Sequence, residues 1–89
     1  MQRIMKHFAD SSFWDCYCTF PESIQLLADK NFRLLKQNPN HPSLHFKKVK
    51  RYWSIRVGLG HRALGVESEN GDIVWLWMGT HREYDKLIK

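Results

Sequence analysis

Eighty-nine residues, 43% apolar and 13% aromatic, are enough for one small domain spanning 1–89 and too apolar for a disordered chain. Four tryptophans supply much of the area such a core must bury, so neither a metal nor a disulfide is needed to close it. The net charge of +5 points away from acidic or neutral surfaces and towards a polyanionic partner.

In chain order, Met1 to Asp10 holds no apolar run of signal-peptide length, and no stretch downstream approaches a membrane span. Cys16 and Cys18 are too close for a loop-closing bridge and have no second pair for zinc, so a reduced, cytoplasmic setting is expected. Ser12-Phe13-Trp14-Asp15 reads as a capping box for a short helix, and Thr19-Phe20-Pro21-Glu22 as another. Ile24, Leu27, Ala28, Phe32 and Leu35 share one helical face, which predicts an amphipathic helix over 20–37 stopped by Asn38-Pro39. Strands are predicted over 44–49, 52–57, 62–68 and 73–78, the last apolar on both faces and therefore central. Lys50-Arg51 and Gly58-Leu59-Gly60 read as tight turns, and Asn70-Gly71 as a hairpin with Glu69 opposite Asp72. Thr80 and Glu83 form a third capping box that makes His81 the first residue of a terminal helix. The fold class is α+β: N-terminal helices packed on one face of a twisted antiparallel sheet, with a short C-terminal helical tail.

Those turns set His45, Arg56, Arg62 and Gly79 in one row across the sheet. Trp53, Ile55, Val57, Ala63, Val74, Leu76 and Met78 then face the long helix, while His45, Lys47, Tyr52, Ser54, Arg56, Arg62, Leu64, Trp75 and Trp77 face away. From Lys30 to Arg62 there are nine Lys or Arg and no Asp or Glu, which favours nucleic acid or an acidic protein as partner. Two arginines directly opposite one another repel unless an anion lies between them. A helix start at His81 offers N–H groups to a phosphate oxygen, and Tyr84 projects from the same side. Lys47, Arg56, Arg62, His81 and Tyr84 are thus candidate catalytic residues for metal-free RNA cleavage, in which the ribose 2′-OH attacks the neighbouring phosphate and the guanidinium groups stabilise the added charge. His45, Lys48, Lys50, Arg51 and Arg82 are candidate phosphate contacts. Read singly, His81 serves equally as a solvated helix-start residue and Tyr84 as a packing residue. Pro42 between His41 and His45 breaks a helical metal pair, so no metal site is expected. Trp75 and Trp77 on the outer face read as a patch for bases or for a protein segment.

Phe13-Trp14, the helix closing on Asn38-Pro39-Asn40-His41-Pro42-Ser43-Leu44, then Phe46-Lys47-Lys48, Ser54-Ile55-Arg56-Val57-Gly58, Gly60-His61-Arg62 and Trp75-Leu76-Trp77-Met78-Gly79-Thr80-His81 follow in an order that resembles the RelE/ParE superfamily of type II toxin–antitoxin toxins. The resemblance runs from Phe13 to Leu87 and implies a toxin neutralised by a cognate antitoxin, with many members cutting messenger RNA in the ribosomal A site. By position it sets Arg56 and Arg62 on the family's two sheet arginines, Lys47 or Lys48 on its preceding basic residue, and His81 and Tyr84 in its catalytic C-terminal region. RelE-type enzymes carry Arg near the position of His81 and other branches pair His with Tyr, so the general acid and base stay unassigned. The family's usual first strand is not evident in Met1 to Phe8. The expected function is a metal-independent, ribosome-dependent mRNA endonuclease using no cofactor or small-molecule ligand. ParE-type inhibition of DNA gyrase by protein contact and a non-enzymatic nucleic-acid-binding module are the alternatives.

Overall fold

The computed structural model describes residues 5–89; the first four residues of the stretch read for a leader and for a first strand lie outside them. The elements are β1 (His7–Ala9), α1 (Ser11–Tyr17), α2 (Glu22–Gln37), a 3-10 turn (Pro42–Leu44), β2 (Lys47–Val49), β3 (Tyr52–Val57), β4 (His61–Glu67), β5 (Ile73–Thr80) and α3 (His81–Leu87). The five strands run in the order β1-β5-β4-β3-β2. The sheet is antiparallel except at β1, which lies parallel to β5 with Phe8 opposite Val74. A first strand therefore exists, and the sheet is mixed rather than purely antiparallel. Three residues are too few to show the alternation by which a strand is read.

The helix starts differ from expectation by one or two residues, for local reasons. The Asp10 carboxylate accepts the Ser12 N–H (3.0 Å) and the Ser12 hydroxyl (2.7 Å), so Asp10, not Ser12, caps α1. With its hydroxyl donated to Asp10, Ser12 becomes part of the first turn, and these charge-assisted bonds hold the Asp10 carboxyl below its ordinary value. Thr19 does not cap α2, because its hydroxyl donates to the Cys16 carbonyl instead (2.6 Å). Pro21 is left as the N-cap with no side-chain bond, and the helix begins at Glu22. Its end at Asn38 is as expected. Ala28 and Leu35 are fully buried against the sheet, with Ile24 and Phe32 packed beside them; Leu27 stays partly exposed, over Gly58.

The turns set the register largely as read. Val49 pairs with Tyr52 around Lys50-Arg51, and Val57 pairs with His61 around Gly58-Leu59-Gly60. Lys50 and Gly58 take the left-handed conformation that closes such turns (φ 58° and 65°). The hairpin at Asn70-Gly71 is one residue longer on one side, since the Ser68 N–H, not that of Glu69, bonds the Asp72 carbonyl. A β-bulge absorbs the difference: Gly65 pairs with Trp75, yet Leu64 pairs with Trp77, leaving Leu76 as the extra residue. Below the bulge the alternation inverts. Trp75, expected on the outer face, is 1% exposed and packs edge-on to Phe32 of α2. Leu76, expected to face the helix, lines a groove with Leu64 and Trp77 on the other side. Ile55, Val57, Ala63 and Met78 join the core as expected, full burial of Ile55, Val57 or Met78 being worth about 1.5–3 kcal/mol each.

Candidate functional site

The row across the sheet forms above the bulge, where the expected register holds. Arg56 pairs with Arg62, and Arg62 with Gly79. Before β2 the chain turns through a left-handed His45 (φ 46°), and this brings His45 Nε2 to 3.5 Å from Arg56 Nη1. Arg62 is only 7% exposed. Nε of Arg56 and both Nε and Nη1 of Arg62 are buried with no hydrogen-bond partner among the described residues. Ser54 Oγ, on the same face, is likewise buried and unbonded. Unpaired buried donors are uncommon and call for an explanation. Desolvation first, then the charges of Arg56, Arg62 and Lys47, push the His45 imidazole below its ordinary value, which records a positive field over this face.

α3 closes over that face. Its capping box is complete: the Glu83 N–H donates to Thr80 Oγ1 (3.2 Å), and the Thr80 N–H and hydroxyl donate to Glu83 Oε1 (3.1 and 2.9 Å). The open helix start expected for a phosphate is not found, because the His81 N–H donates to the Gly60 carbonyl (2.8 Å) and the Glu83 N–H is taken by the cap. Tyr84 is buried with the Arg62 guanidinium over its ring, 5.0 Å from the centroid. The His81 ring meets Tyr84 edge-on at 5.9 Å, and His81 Nδ1 lies 3.3 Å from an Asp85 carboxylate oxygen. Asp85 was missed from the sequence; its signal is the four-residue spacing from His81 on one helix.

The candidates divide accordingly. His45, Arg56, Arg62, His81 and Tyr84 come together, and Lys47, opposite Ser54, shares their face. Lys48 is opposite Trp53 and belongs to the other face. Lys50 and Arg51 sit at the distant β2–β3 turn, where Arg51 lies 5.2 Å over the Tyr52 ring, and Arg82 is exposed on α3. Among the described residues no group of three or more His, Cys, Asp or Glu is disposed to hold a metal ion, and no helix is long and apolar enough to cross a membrane. What the row offers chemically is two adjacent guanidinium groups with unbonded donors, an imidazole beside a carboxylate, and a phenol packed against Arg62.

No family model and no curated protein matches the sequence. Solved structures do match in fold. A chain of the RelB-RelE antitoxin-toxin complex from Methanococcus jannaschii superposes with a TM-score of 0.66 at 18% identity, over 92% of this chain and 99% of that one. The isolated E. coli RelE toxin gives 0.61 at 11% identity, over 96% and 99%. A copper-bound mutant toxin from Helicobacter pylori gives 0.58 at 19% identity, over 89% and 97%. Over nearly its whole length the chain is structurally similar to RelE toxins, and the α+β architecture of its described residues, three helices and a five-stranded, mostly antiparallel sheet, is the RelE-like fold.

Proposed function

We propose that this chain is the toxin of a toxin–antitoxin pair and a metal-independent endoribonuclease that cuts messenger RNA on the ribosome. One observation carries the reading: Arg56 and Arg62 lie directly opposite each other with three buried nitrogen atoms unbonded. Buried charge without a counter-charge is costly, and a phosphodiester supplies both the charge and a pair of non-bridging oxygens that guanidinium groups match bidentately. As the 2′-oxygen adds to phosphorus, charge grows on the non-bridging oxygens, and the arginines hold that state more tightly than the starting diester. The 2′-OH gives its proton to a base, a 2′,3′-cyclic phosphate forms, and the 5′-oxygen departs with a proton from an acid. His81, with Asp85 at Nδ1, offers Nε2 for one transfer; Lys47 and Tyr84 are the other proton carriers within the constellation. Tyr84 also fixes the Arg62 guanidinium by lying against it through its ring.

The M. jannaschii structure is that of an antitoxin-toxin complex, which supports a protein antitoxin here as well. The cationic run from Lys30 to Arg62 suits an acidic partner. With Trp75 buried, its apolar anchors are Phe8, Trp14 and Leu59, all well exposed. Co-purification with the product of the adjacent gene tests this partnership.

Single-turnover cleavage on programmed ribosomes tests the chemistry. Arg56→Ala and Arg62→Ala should each lose about a hundredfold in rate or more, and His81→Gln should slow cleavage while leaving ribosome binding intact. Wild-type rates in Arg62→Ala together with His81→Gln would remove the site. In cells, transcript 5′ ends phased with codons support the reading. A DNA-damage response without cuts would move it to gyrase, and the absence of toxicity to a nucleic-acid-binding module.

A further inference from the structure

The bulge at Leu76 leaves an apolar groove of about 220 Å³ on the arginine face, lined by Tyr52, Leu64, Leu76, Trp77 and Leu87. It adjoins the guanidinium row. Leu64 lies two positions along β4 from Arg62 and pairs with Trp77, and two strand positions span about 7 Å, comparable with the reach of one nucleotide of extended single strand. The Trp77 indole is folded toward the row: a Cβ built on Gly79, the residue paired with Arg62, would lie 2.3 Å from its ring. The indole therefore lies over the strand position next to the arginines, and it remains half-exposed. None of the five lining side chains is charged. Such a groove cannot take a phosphate, but it suits the flat, apolar face of a base.

We infer that this groove is a nucleobase subsite, in which Trp77 stacks on the base flanking the phosphate held by Arg56 and Arg62. The inference rests on the ribonuclease reading above and names the contact that sets the RNA strand in register for it. A nucleobase is favoured over a protein segment because the groove is small and continuous with two cationic groups that need an anion, and RNA brings both in one covalent unit. Stacking on an aromatic ring tolerates every base, so Trp77 positions the cut bond rather than choosing a sequence. Gly79 is part of the device, since any larger residue there would displace the indole.

The test uses ribosomes programmed with messages in which one nucleotide at a time around the cut bond is made abasic. Wild type should be slowed on the order of tenfold or more by an abasic nucleotide at one flanking position. Trp77→Leu should show the same loss on intact message and no further loss at that position, while Trp77→Phe should stay close to wild type. A second measurement avoids any folding defect of the variants: in wild type labelled with 5-fluorotryptophan, the Trp77 resonance should move on addition of a short 2′-O-methyl RNA and not its abasic counterpart. A Trp77→Leu chain that keeps the wild-type rate and abasic profile, or a resonance that RNA leaves unmoved, overturns the subsite while the ribonuclease reading stands. A wild-type chain that cuts no programmed ribosome overturns both.

Discussion

Replacing Arg62 by Met should make the protein more stable while destroying its activity. The guanidinium is 7% exposed, faces Arg56 across the ladder and carries two buried nitrogens without partners. Each unsatisfied donor costs at least about 1 kcal/mol, and like charges directly opposite on a sheet cost about 0.5 kcal/mol more. Against this stands the contact with the Tyr84 ring, worth about 1 kcal/mol. Met keeps the aliphatic volume, so the net gain is about 1.5 kcal/mol, or a rise of about 6–12 °C in Tm for a chain of this size. Thermal melting by circular dichroism in a chloride buffer measures it. Added phosphate, at matched ionic strength, should raise the Tm of wild type by binding the native state and leave Arg62→Met where it is. If the Met variant melts below wild type with no phosphate present, the Arg62 donors are satisfied in solution and the residue has no need of a bound anion.

His45 should titrate below its ordinary value in the free protein, through desolvation and the charges of Arg56, Arg62 and Lys47; proton-detected NMR should show it rising when phosphate binds or in Arg62→Met, and an unmoved titration would place the anion elsewhere. His7 accepts the Trp75 indole N–H at Nδ1 (3.2 Å), and burial, aided by Lys36 and opposed by Asp72, lowers its pKa from 6.5. The unfolded chain then takes up the proton first as pH falls below 6.5, so stability is complete above that value and declines below it until the folded imidazole also protonates; His7→Gln should flatten this stretch of the stability–pH curve. Thr80→Ala removes the hydroxyl half of the capping box and should cost about 1 kcal/mol, with faster amide exchange through α3, a slower cleavage rate, and a partial rise of the Glu83 carboxyl, which the backbone N–H and then the hydroxyl of Thr80 hold below its ordinary value. Unchanged exchange protection in that variant would mean the helix is held by Tyr84 alone.

The arginine row was legible because it depends on turns, and turns announce themselves. Gly58-Leu59-Gly60 fixed Arg56 against Arg62, and Lys50-Arg51 fixed Lys47 against Ser54, by counting alone. The fate of the tryptophans was not legible. Ile73 to Met78 is apolar at every position, so either alternation suits it, and nothing in the pattern marks Leu76 as the residue that falls out of step. The bulge becomes visible only when Gly65 is seen to lie under Ile73 and Trp75, with no room for a Cβ. The third N-cap, Thr80, was legible, but the first two were misjudged: Asp10 starts α1 two residues earlier by taking the N–H and hydroxyl of Ser12, and the Thr19 hydroxyl turns back to the Cys16 carbonyl.

The junction of β5 with α3 has no linker. Thr80 is at once the last strand residue, paired with His61, and the cap of the helix. A hinge at this point would have to break the sheet ladder, the capping box and the bond from His81 to Gly60 together. The helix is thus free to move only from its other end, where Leu87 is 54% exposed. Any motion that uncovered Arg62 would therefore have to start at Leu87 and pass through Tyr84, with His81, tied to the junction, the last to be released.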